Sequence, residues 1–102
     1  MRVAPLLAAL GDESRLELVR KLCTVGPLST TRLAEDAEIT RQAVTKHMLS
    51  LNRVGLVRSE RRGRERIWRL EPKRLEEVRR YLARISKRWD DALGRLKAAV
   101  EQ

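Results

Sequence analysis

The sequence predicts a single, mainly α-helical domain with one small β-hairpin and a long C-terminal helix. Three observations lead to this prediction. The 102 residues are enough for one domain, and 42% of them are hydrophobic, which allows one modest core. Apolar residues recur at spacings of three and four along most of the chain, as one face of a helix requires. Between residues 56 and 70 this spacing disappears, and two β-competent stretches take its place.

Residues 3–27 predict two helices separated by Gly11, with Asp12 as the N-cap of the second. The apolar stripes that support them are Val3, Leu6, Leu7 and Leu10 in the first helix, and Leu16, Val19, Leu22 and Cys23 in the second. Pro27 follows as a stop. A lone thiol at the end of an apolar stripe usually packs as a small hydrophobe, so we expect Cys23 in the core. An oxidant-sensing thiol is the alternative.

Residues 29–54 predict two helices joined by a tight turn. Ser29 starts the first helix, Thr40 caps the second with its hydroxyl, and Gly55 ends it. Glu38 lies in the turn, where a positive φ is often needed at a cost of about 1 kcal/mol for a residue other than glycine. The residues predicted to face inward are Leu33, Ala34, Ala37, Ile39, Ala43, Val44, His47, Met48 and Leu51.

The segment SERRGRER, residues 59–66, holds four arginines and two glutamates around one glycine. Its central RRGR lies between the β-competent stretches LVRSE and ERIWRL, so residues 56–70 predict a hairpin with Gly63 in its turn. Glu60 and Glu65 flank the tip, and we expect them to pair with strand arginines. Taken alone, the segment fits a solvated turn, but its place directly after two motif helices favours a functional tip.

Pro72 is a favourable first helical residue, and from there to residue 101 the sequence predicts one long helix. Its apolar residues alternate steps of three and four for more than three heptads: Leu75, Val78, Leu82, Ile85, Trp89, Ala92, Leu96 and Ala99. Such a helix would be about 45 Å long, whereas a domain of this size has a radius of gyration of about 13 Å. One domain therefore cannot cover the whole stripe.

A second copy of the chain is the simplest partner that could bury that stripe, so we predict a symmetric homodimer. The alternative is a helix that bends at Gly94 and folds back on its own core. The expected interface residues are Leu6, Leu10, Leu75, Val78, Leu82, Ile85, Trp89 and Leu96.

A short helix, a tight turn, a longer helix and a basic hairpin together form a winged helix-turn-helix. In this motif the start of the second helix enters the major groove of DNA. The charge distribution also favours a polyanionic partner, because the formal net charge of the chain is +9. Residues 40–69 hold nine Lys or Arg and only two Glu, so most of the excess lies on the motif and its wing. Double-stranded DNA is therefore the predicted partner.

Three segments, ALGDESRLELVRKL, LAEDAEITRQAVTKHMLSLNRVGLV and RRGRERIWRLEP, resemble the ArsR-type (arsenical-resistance repressor-like) winged-helix regulators. The resemblance covers nearly the whole chain, and AVTKHMLSL followed by GLV is its most specific part. It implies a bacterial or archaeal homodimeric transcription repressor whose first and last helices form the dimer interface. No stretch approaches the roughly 20 apolar residues of a membrane span, so we expect residues 1–102 to form one cytoplasmic domain.

Metal-sensing members of that family often carry Cys-x-Cys at the start of the first motif helix, where this chain has Ser29 and Thr31. Another family site uses Asp, His and Glu on the C-terminal helix, which here contains Asp90 and Asp91 but no histidine. Adjacent carboxylates alone are a poor basis for a transition-metal site. The sequence therefore predicts neither a metal nor a cofactor, and it leaves the inducing signal open.

Eight residues at the start of the second motif helix and at the wing tip are predicted to contact DNA. Gln42 suits an adenine edge and Arg41 a guanine edge, whereas the hydroxyls of Thr40 and Thr45 suit phosphate. His47 is expected to be a packed histidine or a phosphate contact. The full set of predicted DNA contacts is Thr40, Arg41, Gln42, Thr45, Lys46, Arg61, Arg62 and Arg64.

Two other functions remain open at this stage. A winged-helix module could use its basic face on acidic protein or RNA, and an architectural protein could coat DNA without sequence preference. An enzyme is disfavoured, because one histidine, one cysteine and no phosphate-binding glycine loop leave no catalytic pair to build.

Overall fold

The computed structural model of the protein describes residues 3–101, so residues 1, 2 and 102 of the predicted domain lie outside the described residues. Five helices and three strands follow one another along this part of the chain. In order they are α1 (Ala4–Leu10), α2 (Glu13–Val25), β1 (Leu28–Ser29), α3 (Thr30–Ala37), α4 (Arg41–Arg53), β2 (Val57–Arg62), β3 (Glu65–Leu70) and α5 (Pro72–Val100). The architecture is mainly α-helical with a small sheet and a long last helix, as the sequence predicts.

The starts of the helices are set by short polar side chains. Asp12 accepts a hydrogen bond from the backbone N–H of Arg15 at 3.0 Å, which confirms it as the N-cap of α2. The hydroxyl of Thr40 accepts from the N–H of Ala43 at 3.0 Å and caps α4 in the same way. Each cap satisfies one of the backbone donors that a helix leaves free at its first turn. These caps are local in sequence, which explains why residue order alone predicts them.

The sheet has three antiparallel strands in the order β1-β3-β2, and not the two of the predicted hairpin. The hairpin itself is confirmed, since Val57 pairs with Leu70 at its base, and Gly63 adopts a φ of 61° in the turn. Strand β1 consists of only two residues, and the sequence does not predict it. Its pairing with β3 joins the start of α3 to the wing. The wing is therefore anchored to the helix-turn-helix motif by hydrogen bonds.

The core lies where α1, α2, α3 and α4 meet the sheet. Val44, Met48 and Leu51 on the inner face of α4 are completely buried, and Trp68 of β3 closes the other side. Leu33 and the small Ala34 of α3 are also buried, which allows α3 and α4 to pack closely. This packing confirms five of the nine residues predicted to face inward; the other four, Ala37, Ile39, Ala43 and His47, are partly buried.

The predicted core position of Cys23 is wrong, because its side chain is exposed. The apolar face of α2 that packs inward consists of Leu18, Val19 and Leu22, whereas Leu16 is also exposed. Successive helical residues are about 100° apart, so the buried face is rotated by roughly one residue from the predicted stripe. Packing against the neighbouring helices determines which face of α2 is buried, and the sequence pattern of α2 alone does not reveal it.

Helix α5 extends well beyond the rest of the fold. It has 29 residues, and the described chain measures 66 × 28 × 21 Å. Near its start, Val78 is buried and Leu75 packs against the core, but every residue from Ser86 to Val100 is exposed. The predicted partner-facing role of Leu6 and Val78 therefore needs correction. Both side chains are buried inside their own protomer, where they are not available to a second chain.

Glu38 joins α3 to α4 in a left-handed conformation, with φ 55° and ψ 35°. This confirms the expectation of a positive φ in the turn. Glu38→Gly should therefore raise the free energy of unfolding by about 0.5–1 kcal/mol, the relief of strain being partly offset by the flexibility of glycine in the unfolded chain. Urea unfolding measures this gain. Glu35→Gly, the same change inside α3, is the control and should instead lower stability by about 1 kcal/mol.

Candidate nucleic-acid interface

The outer face of α4 presents polar and cationic side chains. Arg41, Gln42 and Lys46 are exposed, while Thr45 is partly buried at the flank of the helix. Gln42 and Lys46 point away from Val44 and the rest of the buried face, because residues two positions apart are about 200° apart around a helix. Arg41 and Thr45 lie closer to the edge of that face. Thr40 is exposed at the helix start, and its hydroxyl oxygen is already used as the cap. The structure thus brings the five predicted α4 residues together on one end of the helix.

The wing carries the other three predicted contacts at its tip. Arg61, Arg62 and Arg64 are all exposed around the turn. Arg62 is not free, because its guanidinium Nη2 lies 2.9 Å from a carboxylate oxygen of Glu60. This pair confirms one of the two predicted glutamate–arginine contacts. For Glu65, the other glutamate, the structure shows no ion pair within residues 3–101.

Arginine pairing differs along the chain. On α2 and the first turns of α5, arginines bind carboxylates one turn away, and the pair of Arg79 with Glu76 has an N–O distance of 2.6 Å. Further along α5, Arg84, Arg88 and Arg95 have no ion pair within the described residues. Between residues 40 and 69, only Arg58 and Arg62 have an ion pair within the described part of the chain. The cationic residues there without one are Arg41, Lys46, Arg53, Arg61, Arg64, Arg66 and Arg69. Such cations are available to an external anion.

The carboxyl groups with lowered pKa values lie outside this face. A hydrogen bond from Arg79 lowers the pKa of Glu76 from 4.5 to about 2, and a hydrogen bond from Lys21 lowers that of Asp36. These carboxylates stay ionised at neutral pH and already have a cation each. They therefore neutralise charge on α2, α3 and α5 and leave the positive charge of α4 and the wing uncompensated.

Comparison with known proteins identifies the family. Residues 12–59 match the profile described as "Bacterial regulatory protein, arsR family". The HTH-type transcriptional regulator Rv2034 of Mycobacterium tuberculosis is 35% identical over 85 residues, which span 83% of this chain and 76% of that protein. The chain belongs to the ArsR family.

Solved ArsR-family structures share its fold. An ArsR-like transcriptional regulator from Rhodococcus sp. RHA1 superposes with a TM-score of 0.73 at 37% identity, covering 93% of this chain and 89% of that one. The winged helix-turn-helix domain of Mb0332 from Mycobacterium bovis, which is described as homodimeric, has a TM-score of 0.65 at 24% identity, covering 87% and 79%. The chain is thus a winged helix-turn-helix transcriptional regulator of the ArsR family.

The start of α3, where metal-sensing ArsR-type proteins often carry cysteines, has a structural role here. Ser29 is buried, and its hydroxyl accepts a hydrogen bond from the N–H of Arg32 at 3.1 Å. Thr31, two residues further on, is partly buried. Among residues 3–101, no three His, Cys, Asp or Glu side chains are grouped closely enough to hold a metal ion. A search of the same residues finds no helix with the length and apolarity that crossing a membrane requires.

A cleft of about 400 Å³ separates the helix-turn-helix from the wing in this ArsR-family chain. Three of its lining residues, Arg41, Thr45 and Arg64, are among the predicted DNA contacts. Residue order does not predict the others, because they meet only through the pairing of β1 with β3, in which Ser29 lies opposite Ile67. A basic wing next to a serine-threonine helix start is the signal that could have indicated them. The missed lining residues are Ser29, Thr30, Thr31, Glu65 and Arg66.

Proposed function

We propose that this protein is a homodimeric transcriptional repressor that binds a specific inverted repeat in double-stranded DNA. The observation that carries the proposal is the basic surface of α4 and the wing, most of whose cationic side chains form no ion pair within residues 3–101. Neutralising phosphates with such side chains releases counterions, which supplies most of the non-specific part of DNA affinity. Family membership as a transcriptional regulator supports the same function. We further propose that residues 1–102 act as one domain in the cytoplasm, without enzymatic activity.

Two groups of residues would have different roles at each half-site, one reading bases and the other binding the phosphate backbone. The start of α4 enters the major groove, where Gln42 pairs with adenine or Arg41 with guanine, as their donor and acceptor patterns allow. The remaining residues hold the phosphate backbone beside the groove and carry no base preference. In this division the backbone contacts are Thr40, Thr45, Lys46, Arg61, Arg62 and Arg64.

The dimer would use the outer stripe of α5. Leu82, Trp89 and Leu96 are at least half exposed in the protomer and lie on one side of the projecting helix. A twofold axis through paired α5 helices would place two α4 helices about one helical turn of DNA apart, which is why the operator should be an inverted repeat. Ile85 continues the stripe, and Leu10 and Leu75 are partly buried at its base.

The Arg62→Ala variant tests the role of the wing. It should bind all duplex sequences more weakly than the parent and to a similar degree, and the slope of log affinity against log salt should flatten by about one unit per half-site. The intramolecular pair with Glu60 will moderate the loss. Arg79→Ala on α5 removes the same charge far from the wing and should leave the slope unchanged. Equal salt slopes for the parent and for Arg62→Ala would show that the wing is not part of the DNA interface.

The Gln42→Ala variant tests base reading. It should lose about 1–3 kcal/mol of preference at one base pair per half-site while its salt slope stays that of the parent. Selection of bound sequences from a random duplex pool measures this preference at every position. An unchanged selected sequence would show that Gln42 does not read a base.

The same two measurements separate the remaining functions. An architectural protein would show the salt slope without a preferred palindrome, and a module for acidic protein or RNA would show neither with duplex DNA. Seven cations on the motif and wing form no ion pair with the described part of the chain, and they favour the duplex because they follow both the helix that fits a groove and the hairpin beside it.

A further inference from the structure

The cleft between the helix-turn-helix and the wing combines three separate elements. Thr30 and Thr31 line it from the start of α3, Arg41 and Thr45 from the start of α4, and Arg64 and Arg66 from the wing. Its volume is about 400 Å³, and it is open to solvent on one side. It therefore lies between the two surfaces that the proposed function assigns to base reading and to backbone binding.

The charge of this cleft is unbalanced. Three guanidinium groups line it, and Glu65 is its only carboxylate. Arg41 and Arg64 form no ion pair within residues 3–101, while Arg66 donates one hydrogen bond, from Nη1 to the hydroxyl of Ser59 at 2.7 Å. Converging like charges repel one another, so an anion in the cleft relieves that repulsion.

A buried tryptophan holds one wall of the cleft in place through a hydrogen bond. Trp68 is 1% exposed, and its indole N–H donates to the hydroxyl oxygen of Thr30 at 2.9 Å. Because this bond occupies an acceptor site of Thr30, the hydroxyl proton of Thr30 remains available to another acceptor. The pairing of Ser29 with Ile67 fixes the same wall to β3. The distance between the start of α3 and the wing is thus held before any ligand arrives.

We propose that this cleft seats one phosphodiester group of the DNA backbone beside each half-site. Guanidinium groups and hydroxyls offer several donors, and planar guanidinium pairs are well matched to phosphate oxygens. The cleft is open, and the side chains of its three arginines are exposed to solvent, so a phosphate carried by a polymer with other contacts fits it better than a free ion. This inference rests on the proposed binding of duplex DNA. It adds Thr30, Thr31 and Arg66 to the interface, and it assigns Arg41 to the backbone, with base reading left to Gln42.

The seated phosphate would fix the register of the protein on the duplex. It is the one backbone group that α3, α4 and the wing would touch together, so its position sets how far the start of α4 reaches into the major groove. Because phosphates are the same at every base pair, the cleft supplies alignment and affinity and no base choice. Arg66 is accordingly a positioning residue as well as a phosphate contact.

A phosphate-by-phosphate substitution experiment tests the proposal. The selected operator is synthesised with a single neutral methylphosphonate at each backbone position in turn, and binding is measured for the parent, Arg41→Ala and Arg66→Ala. One phosphate per half-site should lower the affinity of the parent about tenfold when neutralised. Neutralising this phosphate should change the affinity of Arg41→Ala or of Arg66→Ala by less than about twofold, because each variant lacks one of the guanidinium groups that contact the phosphate.

Arg69→Ala is the matched control for this experiment. Arg69 is an exposed, unpaired arginine on the same strand as Arg66 but does not line the cleft. Neutralising the seated phosphate should lower the affinity of this variant as much as it lowers that of the parent. The parent could bind the duplex with a steep salt slope although no single phosphate loses its effect in both Arg41→Ala and Arg66→Ala. That result overturns the cleft proposal and leaves the proposed function standing. If the parent binds no duplex, both are overturned.

Discussion

Replacing Trp89 by glutamate is expected to convert the proposed dimer into a monomer at micromolar concentration. Trp89 is 65% exposed in the protomer and lies in the apolar stripe of the projecting half of α5. In a symmetric pair each chain buries its own Trp89, so the substitution acts twice. Losing about 2 kcal/mol of apolar burial per chain raises the dissociation constant roughly 1000-fold, and burying a carboxylate adds to the loss. Sedimentation equilibrium measures the change.

Ala98→Glu is the control for this substitution. Ala98 is exposed nine residues further along α5, which is two and a half turns, so it lies on the face opposite Trp89. It adds the same charge to the same helix and should leave the dimer intact. A Trp89→Glu variant with the mass of the parent, or an Ala98→Glu variant that dissociates equally, would place the interface elsewhere.

Loss of the dimer should also weaken operator binding. A dimer that holds one half-site presents its second α4 to the other half-site at a high effective concentration, whereas a monomer has no second contact. The affinity of Trp89→Glu for a full inverted repeat should therefore fall about 100- to 10 000-fold, to that for a single half-site. Titration of full and half operators with both proteins compares these values. A variant that still prefers the full repeat would separate DNA binding from dimerisation through α5.

The features that residue order predicted correctly are those decided within a few residues. Asp12 and Thr40 cap helices through bonds to N–H groups three positions away, and Gly63 provides the positive φ of its own turn. The inner face of α4 was also predictable, because its apolar residues repeat at helical spacing and the neighbouring helix packs on that face. The α4 and wing residues of the candidate site follow from these elements directly.

The features that sequence reasoning missed depend on contacts between distant segments. Strand β1 has two residues and no pattern of its own, so only its pairing with β3 defines it. Cys23 has the spacing of a core residue, but α2 turns a different side towards its neighbours. Leu6 and Val78 looked equally suited to a dimer interface and to the core, since both environments select apolar residues. Only the packing of the chain distinguishes these uses.

Leu51→Ala should strongly destabilise the fold. Leu51 is 0% exposed and belongs to the core that holds α4 in place. Removing buried methyl and methylene groups costs their transfer free energy plus that of the cavity, about 2–5 kcal/mol. The melting temperature of a domain of this size should fall by at least about 10 °C, as measured by thermal unfolding followed by circular dichroism.

Leu49→Ala makes the same chemical change two residues earlier and is the natural comparison. Leu49 is 48% exposed on the outer side of α4, so its truncation leaves no cavity and should alter stability by less than about 0.5 kcal/mol. The pair separates core packing from helix propensity, which the two substitutions affect alike. Equal losses for both variants would mean that the outer face of α4 is covered by another surface in solution. A loss confined to Leu51→Ala would show that the core fixes α4 from one side only and leaves its other side open to a DNA groove.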